Sequence, residues 1–507
     1  MTARATGKPD RGATREAKVA ASLAAESATL ASRLGPVVGI TADSRAVAPQ
    51  MAFAAYPGIA HDGRAFIGDA IARGAASVLY EASGFDWDLG WRIPHVAVAD
   101  LKARIGGVAA AIYGRPSQNL WMVGVTGTNG KTSCAHWSAQ ALAHCGRRSA
   151  IVGTLGNGPI GRLVPTSNTT PDACVLQAML AGWRAAGTEA VAMEVSSHGI
   201  DQGRVNGIDF DVALFTNLTR DHLDYHETLQ AYGETKAKLL EWPALRTAVI
   251  NAADDFGRTL IERTRARGRD VVAYGAAGAD VVATGVQSLP SGTAVDVETT
   301  HGHGRFVAPV SGAFNVQNLL GVLGVLLASD IELHAALDAL AHVAPPPGRM
   351  ERLGGGAQPL VIVDYAHTPD ALGQVLQAMR PFVAAGGKLV CVFGCGGNRD
   401  RGKRAEMGAV AARLADRIVV TNDNPRDEEP RAIADDIVAG ARPIAADWTV
   451  ELDRASAIEL ALDDTHAGDV VVLAGKGDED YQEANGRRVP FSDRAVVSNS
   501  LARRDRA

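Results

Sequence analysis

The sequence is poor in cysteine and contains no long apolar run. Its five cysteines are scattered and form neither a disulfide framework nor a paired CxxC pattern, which favours a reducing compartment. No uninterrupted apolar stretch reaches the length of a membrane span, and the first residues lack the apolar core of a signal peptide. We therefore expect a cytoplasmic protein that does not insert into a membrane.

The sequence also has no excess of basic residues. The chain carries 50 Lys and Arg against 56 Asp and Glu, a formal charge of −6. Because nucleic-acid binding calls for basic surface, this balance argues against a nucleic-acid partner. Any anionic ligand must then be held by local features of the fold.

Apolar runs alternate with turn-forming clusters along most of the 507 residues, a length that favours about three domains. This alternation predicts an α/β fold with a mostly parallel, P-loop-bearing central sheet, flanked by a small N-terminal α/β domain and a Rossmann-like C-terminal domain. A helical stretch is expected from Asn315 to Val343, ahead of a proline hinge at 345–347. The predicted boundaries are a disordered extension over 1–20 and domains over 21–117, 118–346 and 347–507.

The stretch "VGVTGTNGKTSCAHW" (123–137) has the order strand, Gly-rich loop, helix. It is a shortened P-loop, since Val125 stands where the usual pattern has its first glycine. Loop amides, Lys131 and the helix N-terminus can hold nucleotide phosphates, and the Thr132 hydroxyl can bind Mg²⁺. The pattern predicts nucleotide binding.

A P-loop needs an acidic partner for its metal. Glu194 ends the apolar strand "AVAME", at a position where a carboxylate contributes nothing to apolar packing. Farther on, "FTNLTRDHLDYH" places Asp221, His222, Asp224 and His226 after another strand. His222 and His226 have the spacing of a zinc pair on a helix, but a Mg²⁺ or phosphate role is favoured because no third soft ligand is close in sequence. Caps and surface charges are a further alternative. No Asn-Lys-x-Asp guanine-reading element is present, so synthesis is favoured over a GTPase switch.

Eight motifs then occur in a characteristic order: "TGTNGKTS", "MEVSSHG", "FTNLTRDHLDYH", "GAFNVQN", "PPPGRME", "VDYAHTPDAL", "GCGGNRDRGKR" and "DNPR". From about Thr41 to Tyr481 the chain resembles the Mur ligases of peptidoglycan synthesis, and within them the MurE branch. The resemblance implies an ATP-dependent ligase that adds an amino acid to the D-Glu carboxylate of UDP-N-acetylmuramoyl-L-Ala-D-Glu through an acyl phosphate. It implies small-molecule substrates, and we expect a monomer.

The resemblance also implies roles for individual residues. ATP contacts are expected from Gly127, Thr128, Asn129, Gly130, Lys131, Thr132, Ser133, Asn315, Arg349, Asp364 and His367. Mg²⁺ ligation is expected from Thr132, Glu194, His222 and Lys236 as a carbamate, and the catalytic set is Lys131, Glu194, His222 and Lys236. Nothing in the residues themselves selects Lys236 over Lys238.

For the UDP-muramoyl-dipeptide, the resemblance implies Ser44, Arg45, His61, Asn168, Thr169, Thr170, Ser196, Gln202 and Arg204. Taken singly, each Ser or Thr is also typical of a cap or turn. The looser "AAYPG" run at 54–58 leaves uridine contacts there open.

For the incoming amino acid, the resemblance implies Arg399, Asp423, Asn424, Arg426, Gly475 and Glu479. "DNPR" is the form typical of meso-diaminopimelate ligases. An arginine can pair in bidentate fashion with the far carboxylate of diaminopimelate, which lysine lacks. One departure is "GKGDE", with Asp478 where the family has histidine, so Gly475 and Glu479 are the less secure assignments.

Three alternatives stay open at this point. A lysine-adding MurE is disfavoured by "DNPR", and a folylpolyglutamate synthetase-like ligase is disfavoured by the uridine-type first domain. A nucleotide-dependent binding or regulatory protein is the alternative of another class, and it predicts ATP turnover that is independent of any amino acid.

Overall fold

The computed structural model describes residues 15–58, 61–166, 168–289, 291–444 and 447–504. The described chain forms three α/β units built around three separate sheets, and a small two-stranded sheet lies near the C-terminus. In the described residues, no helix is both long and apolar enough to cross a membrane.

The N-terminal unit has a parallel four-stranded sheet whose strands follow chain order. Its elements are helices α1 Arg15–Ser32, α2 Ile67–Ala72 and α3 Leu101–Ile112, and strands β1 Gly39–Thr41, β2 Met51–Ala55, β3 Ser77–Glu81 and β4 His95–Val98. Because α1 begins at Arg15 and packs on α3, the extension predicted to be disordered to residue 20 is instead helical from 15. The rest of that prediction, 1–14, lies outside the described residues.

The central unit carries a ten-stranded sheet. Its strands are β5 Trp121–Thr126, β6 Ser149–Gly153, β7 Gly156–Pro159, β8 Ala190–Glu194, β9 Val212–Phe215, β10 Thr247–Asn251, β11 Asp270–Tyr274, β12 Val281–Leu289, β13 Gly292–Thr299 and β14 Gly302–Ala308. Their order is β14-β13-β12-β11-β10-β9-β5-β8-β6-β7. The middle of the sheet is parallel, as predicted, and antiparallel pairs occur only at its two edges among the described strands.

Helices of the central unit are α4 Lys131–His144, α5 Ala173–Ala185, α6 Ser197–Asp201, α7 Leu223–His226, α8 Leu229–Ala237, α9 Asp255–Ala266, α10 Ala313–Ala328 and α11 Leu333–Ala341. The helical stretch predicted over 315–343 consists of two helices, α10 and α11. The chain leaves α10 through Asp330, whose φ of +59° is incompatible with a continuing right-handed helix. Both α10 and α4 are buried nearly all round, because they lie between the sheet and α11.

The C-terminal unit has a six-stranded sheet of order β15-β16-β20-β17-β18-β19. Its elements are β15 Glu351–Gly354, β16 Leu360–Asp364, α12 Pro369–Met379, β17 Leu389–Phe393, α13 Gly402–Leu414, β18 Arg417–Val420, α14 Pro430–Ala441, β19 Asp447–Val450, α15 Arg454–Asp463, β20 Val470–Ala474, β21 Tyr481–Ala484, β22 Arg487–Pro490 and α16 Asp493–Arg504. Only β15 pairs antiparallel in this sheet, and β21–β22 form a separate hairpin. Near-continuous Val, Ile and Leu runs make β16, β17 and β20 strands buried on both faces.

Candidate active site between the central and C-terminal units

A cavity of 1160 Å³ opens where the carboxyl ends of the central strands face those of the C-terminal sheet. Ligands of open α/β sheets bind at this edge, because the loops there present polar groups around a space the strands leave free. Its lining includes the phosphate loop, Glu194, the loop after β9 and the loops after β16 and β20. Most of the polar groups predicted from the sequence therefore meet in one space.

The loop between β5 and α4 is held in the shape needed to cradle an anion. Gly127 has φ +144°, and a Cβ there would lie 1.9 Å from the Thr216 hydroxyl oxygen, so only glycine fits. Gly130 begins α4 with φ +84° and leaves the first helical amides free to face a phosphate. Lys131 Nζ donates to the carbonyls of Gly127 and Thr128 at 3.0 and 2.8 Å, so the lysine is folded back over its own loop.

Oxygen ligands suited to Mg²⁺ converge beside this loop. The Thr132 hydroxyl donates to Glu194 Oε2 at 3.0 Å, and the backbone amide of Thr154 donates to Glu194 Oε1 at 2.8 Å. Arg349 Nη2, from the C-terminal unit, donates to Thr132 Oγ1 at 2.9 Å. A buried carboxylate and a hydroxyl held this close are the hard donors that Mg²⁺ prefers, so these residues fit the ion.

His222 and Asp221 lie at the point where the two units meet. Asp221 Oδ2 is 3.4 Å from His222 Nε2 and 3.6 Å from His367 Nε2, and its other oxygen is 3.9 Å from Lys403 Nζ. Burial lowers the pKa of His222 to about 3, against the opposing charge of Asp221, so the imidazole is neutral at physiological pH. Neutral imidazole is the form that binds a metal.

The structure separates the two lysines that the sequence left equivalent. Lys236 is 1% exposed and donates to the Gly127 carbonyl at 2.6 Å, whereas Lys238 is exposed. Burial, and then the charge of Lys131, hold the pKa of Lys236 well below its ordinary value. The environment of Lys236 next to the phosphate loop therefore favours its uncharged amine form.

The expected nucleotide residues of α10 and the C-terminal unit also line the cavity. Asn315 is buried and donates to the Ser311 carbonyl at 2.8 Å. The Asp364 carboxylate accepts hydrogen bonds from the amides of Met350 and Ala366 at 2.7 and 2.8 Å. It therefore fixes the chain just before β15 and also faces the cavity.

The residues predicted for the muramoyl-dipeptide fall into two groups. Thr170, Ser196 and Arg204 form one network, in which Thr170 Oγ1 lies 3.1 Å from Ser196 Oγ and Arg204 donates to the Thr170 carbonyl at 2.9 Å. Gln202 accepts from Arg204 at 2.6 Å, and Thr169 Oγ1 lies 3.0 Å from Thr154 Oγ1. Asn168 is exposed and also lines the cavity.

The second group, Ser44, Arg45 and His61, lies on the N-terminal unit and does not line this cavity in the described part of the chain. Arg45 is exposed and ion-paired with Asp43 at 2.8 Å. The role of these three residues in UDP binding therefore stays a prediction.

The predicted amino-acid pocket lies at the ends of β18 and β20. Arg426 has φ +50° and donates to the Gly397 carbonyl at 2.9 Å, and its Nε is 4.0 Å from Glu483. Asn424 Nδ2 donates to Glu479 Oε2 at 2.8 Å. Asp423 lies beneath these two residues. Gly475, which follows β20, permits a close approach to Asp423, since a Cβ there would be 3.0 Å from Asp423 Oδ2. Arg399 is exposed on the cavity lining.

Two features escaped the sequence analysis. Lys476 is fully buried, 3.0 Å from Glu479 and 3.5 Å from Asp423, and so sets the charge beneath the pocket. Arg220 bridges the units through Asp400 and Glu406, each at 3.0 Å. Both residues sit inside the quoted motifs, but their partners lie 3 to 186 positions away, and only folding brings those partners together.

The zinc alternative for His222 and His226 is not supported by their arrangement. His226 Nε2 is 2.9 Å from Ser197 Oγ, and His198 packs between the two rings. Among the described residues, these three histidines do not bring their ligand atoms within 4.8 Å of one another.

A phosphate loop, a metal-ligand set and a polar amino-acid pocket that share one cleft between two α/β units define a nucleotide-dependent ligase. Three family descriptions match in chain order: "Mur ligase family, catalytic domain" over residues 36–113, "Mur ligase middle domain" over 125–326, and "Mur ligase, glutamate ligase domain" over 348–477. The chain belongs to the Mur ligase family.

Similar proteins agree with this assignment. The UDP-N-acetylmuramoyl-L-alanyl-D-glutamate–2,6-diaminopimelate ligase of Chromobacterium violaceum is 48% identical over 92% of this chain and 94% of its own length. The Pseudomonas aeruginosa protein of the same name is 49% identical over 91% and 94%. A solved structure with that name has a TM-score of 0.66 at 35% identity, covering 93% of this chain and 96% of the other. MurF from Acinetobacter baumannii has a TM-score of 0.67 at 20% identity, covers 91% and 93%, and shares the fold.

Proposed function

We propose that this chain is an ATP-dependent ligase that adds meso-2,6-diaminopimelate to the D-Glu carboxylate of UDP-N-acetylmuramoyl-L-Ala-D-Glu, in the cytoplasmic synthesis of peptidoglycan precursor. The observation that carries the proposal is that the phosphate loop and the Arg426 pocket open into the same cavity. Relatives that carry this activity in their names match over nine-tenths of the chain. The enzyme works as a monomer in this proposal.

The chemistry asks the cleft to bring two anions together. A carboxylate is a poor electrophile, so ATP phosphorylates it, and the amine of the incoming amino acid then displaces phosphate from the acyl phosphate. Lys131 leaves its two loop carbonyls for the nucleotide phosphates, and Arg349, already 2.9 Å from Thr132, adds a second cation. Once they are on the phosphates, these two cations stabilise the negative charge that develops in the transition state.

Mg²⁺ would be held by Thr132, Glu194, His222 and Lys236 as its carbamate. When bound, the ion neutralises charge between phosphate and carboxylate. Carbamate formation requires an unprotonated amine, and the lowered pKa of Lys236 favours that form. The modification replaces the buried amine beside Lys131 with an anion.

Selection of diaminopimelate is assigned to Arg426. Its left-handed backbone is held by two hydrogen bonds to the β21–β22 hairpin, Arg426 N to Glu483 O at 3.0 Å and Asn485 N to Arg426 O at 2.7 Å. A guanidinium held in this way can pair with the far carboxylate of diaminopimelate. Lysine would leave that guanidinium without its partner, which costs about 1–3 kcal/mol.

The test is phosphate release from ATP in the presence of UDP-N-acetylmuramoyl-L-Ala-D-Glu, comparing meso-diaminopimelate with L-lysine. We expect release with diaminopimelate only, and Arg426→Ala should raise the KM for diaminopimelate by at least about tenfold. Arg431→Ala, an exposed arginine paired with Asp435, is the matched control and should leave KM unchanged. Release with lysine would overturn the substrate assignment. Equal release without either amino acid would overturn the ligase itself.

A further inference from the structure

Outside the cleft, metal-ligand side chains gather where the C-terminal end of α4 meets α11. His144 Nε2 lies 2.7 Å from Asp338 Oδ2, and His342 Nδ1 lies 3.8 Å from Asp338 Oδ1. The rings of His144 and His342 stack at 4.6 Å. One ligand atom from each of the three residues falls within 4.8 Å of the others, and all three residues are exposed.

The sequence of α11 reinforces the cluster. In "HAALDALAH", His334, Asp338 and His342 follow one another at intervals of four residues, so they lie along one face of the helix. That face is turned towards His144, as the contact with Asp338 shows. The next residue of α4, Cys145, is half-buried, and its sulfur lies 3.8 Å from the Ala335 carbonyl of α11. Imidazoles on two helices thus surround one carboxylate.

We propose that His144, Asp338 and His342 form a surface binding site for a divalent transition metal of the zinc type, with His334 available as a fourth ligand. Imidazole nitrogen with one carboxylate oxygen is a donor set that suits Zn²⁺, Ni²⁺ and Cu²⁺ rather than Mg²⁺. The side chains are exposed, and one ligand atom of each already lies within 4.8 Å of the others. Binding replaces the hydrogen bond between His144 and Asp338 with two bonds to one ion.

The site would join the far end of the phosphate-loop helix to α11. It is built from residues that the cleft chemistry does not use, so metal binding here stabilises the central unit without being needed for ligation. An ion bound only by the folded chain raises the stability of that chain by an amount that grows with the logarithm of the ion concentration above its dissociation constant.

The experiment titrates the full-length protein with Zn²⁺ by calorimetry in buffer containing Mg²⁺, and follows the urea midpoint with and without Zn²⁺. Wild type should bind one Zn²⁺ more than His342→Asn or Asp338→Asn, or bind it at least about tenfold more tightly. His334→Asn should weaken the same event. His466→Asn, an exposed histidine of the C-terminal unit, is the matched control and should behave as wild type.

Urea midpoints measured in EDTA separate binding from folding. Equal midpoints for wild type and variants in EDTA, with Zn²⁺ raising only the wild-type and control values, support the site. Equal Zn²⁺ stoichiometry and affinity in wild type and His342→Asn would overturn it, because all binding would then belong to the cleft. An equal loss in His466→Asn would also overturn it, since binding would then be that of scattered surface histidines.

Discussion

At the scale of single residues, Lys236 is the group whose chemistry depends most on burial. It is held at 2.6 Å from the Gly127 carbonyl, and burial lowers its pKa because it disfavours the cation. We expect ¹³C NMR with labelled bicarbonate to show a carbamate signal in wild type and in Lys238→Arg. The signal should vanish in Lys236→Arg, because a guanidinium forms no carbamate, and activity should fall by roughly 10²-fold or more. A signal that survives Lys236→Arg would assign the carbamate elsewhere.

Asp478 is a second residue whose ionisation is unusual. Burial raises its pKa from 3.8 to about 6, against the charge of Arg349, and Oδ1 has no hydrogen-bond partner among the described residues. The folded chain therefore binds this proton more tightly than the unfolded chain. The stability it contributes is present below pH 3.8 and is lost as pH rises through about 6.

Asp478→Asn should remove this pH dependence. At pH 7.5 we expect the variant to be more stable than wild type by about 1–3 kcal/mol, with little difference near pH 4. Urea unfolding at several pH values measures this change. Asp480→Asn, at an exposed position two residues on, is the control. A stability gain that is the same at both pH values would refute the ionisation argument.

At the scale of secondary-structure elements, buried strands were the easiest features to predict. The runs "LVIVD", "LVCVF" and "VVVLA" became β16, β17 and β20, since uninterrupted apolar runs suit strands covered on both faces. The edge strands β12–β14 were missed because their Gly, Asp and His residues hide the alternation, and because β12 and β14 are only partly buried. The break between α10 and α11 was missed because the residue at the break is Asp330, and not a Gly or Pro of the kind that usually marks the end of a helix.

The site was predictable to the extent that it lies at strand ends. Glu194 follows this rule, so its position came from local pattern, whereas the role of Asp423, which also follows a strand, came from family resemblance. The choice of Lys236 came from family resemblance, because only tertiary packing distinguishes it from Lys238. Lys476 beneath the amino-acid pocket was missed for the same reason, since a lysine is expected at the surface until its three partners are seen.

One buried ion pair joins several elements of the C-terminal unit. Arg454 of α15 pairs with Asp493 of α16 through two bonds of 2.7 Å, and donates to the carbonyls of Asn422 and Ala474 just before the two pocket loops. Arg454→Met should cost about 3–5 kcal/mol in the free energy of unfolding, because Asp493 is left buried and unpaired. The double variant Arg454→Met/Asp493→Leu should recover much of this, as measured by urea midpoints. A double variant no more stable than the single one would contradict the desolvation argument.

At the scale of the whole molecule, the described structure has the central and C-terminal units in contact across the cleft. Side-chain links that cross it include Arg220 to Asp400 and Glu406, Asn129 to Asp370, Arg349 to Thr132, and Asp221 to His367 and Lys403. Most of them touch the phosphate loop or the loop after β9. Closure of the units and assembly of the phosphate site are therefore coupled, since the same residues take part in both.

Arg220→Ala should loosen this contact. The arginine is partly exposed, so the lost pairs are worth about 1 kcal/mol, and the closed fraction should fall by roughly fivefold relative to the open one. Small-angle scattering of the ligand-free protein should show a larger radius of gyration, and 0.5 M salt should move wild type the same way because the pairs are screened. Arg401→Ala is the matched control, because Arg401 pairs with Asp436 inside the C-terminal unit at 2.8 Å. If the two variants scatter alike, Arg220 does not hold the units together. The contacts of Asp221 and of the phosphate loop would then be the ones that keep the units closed.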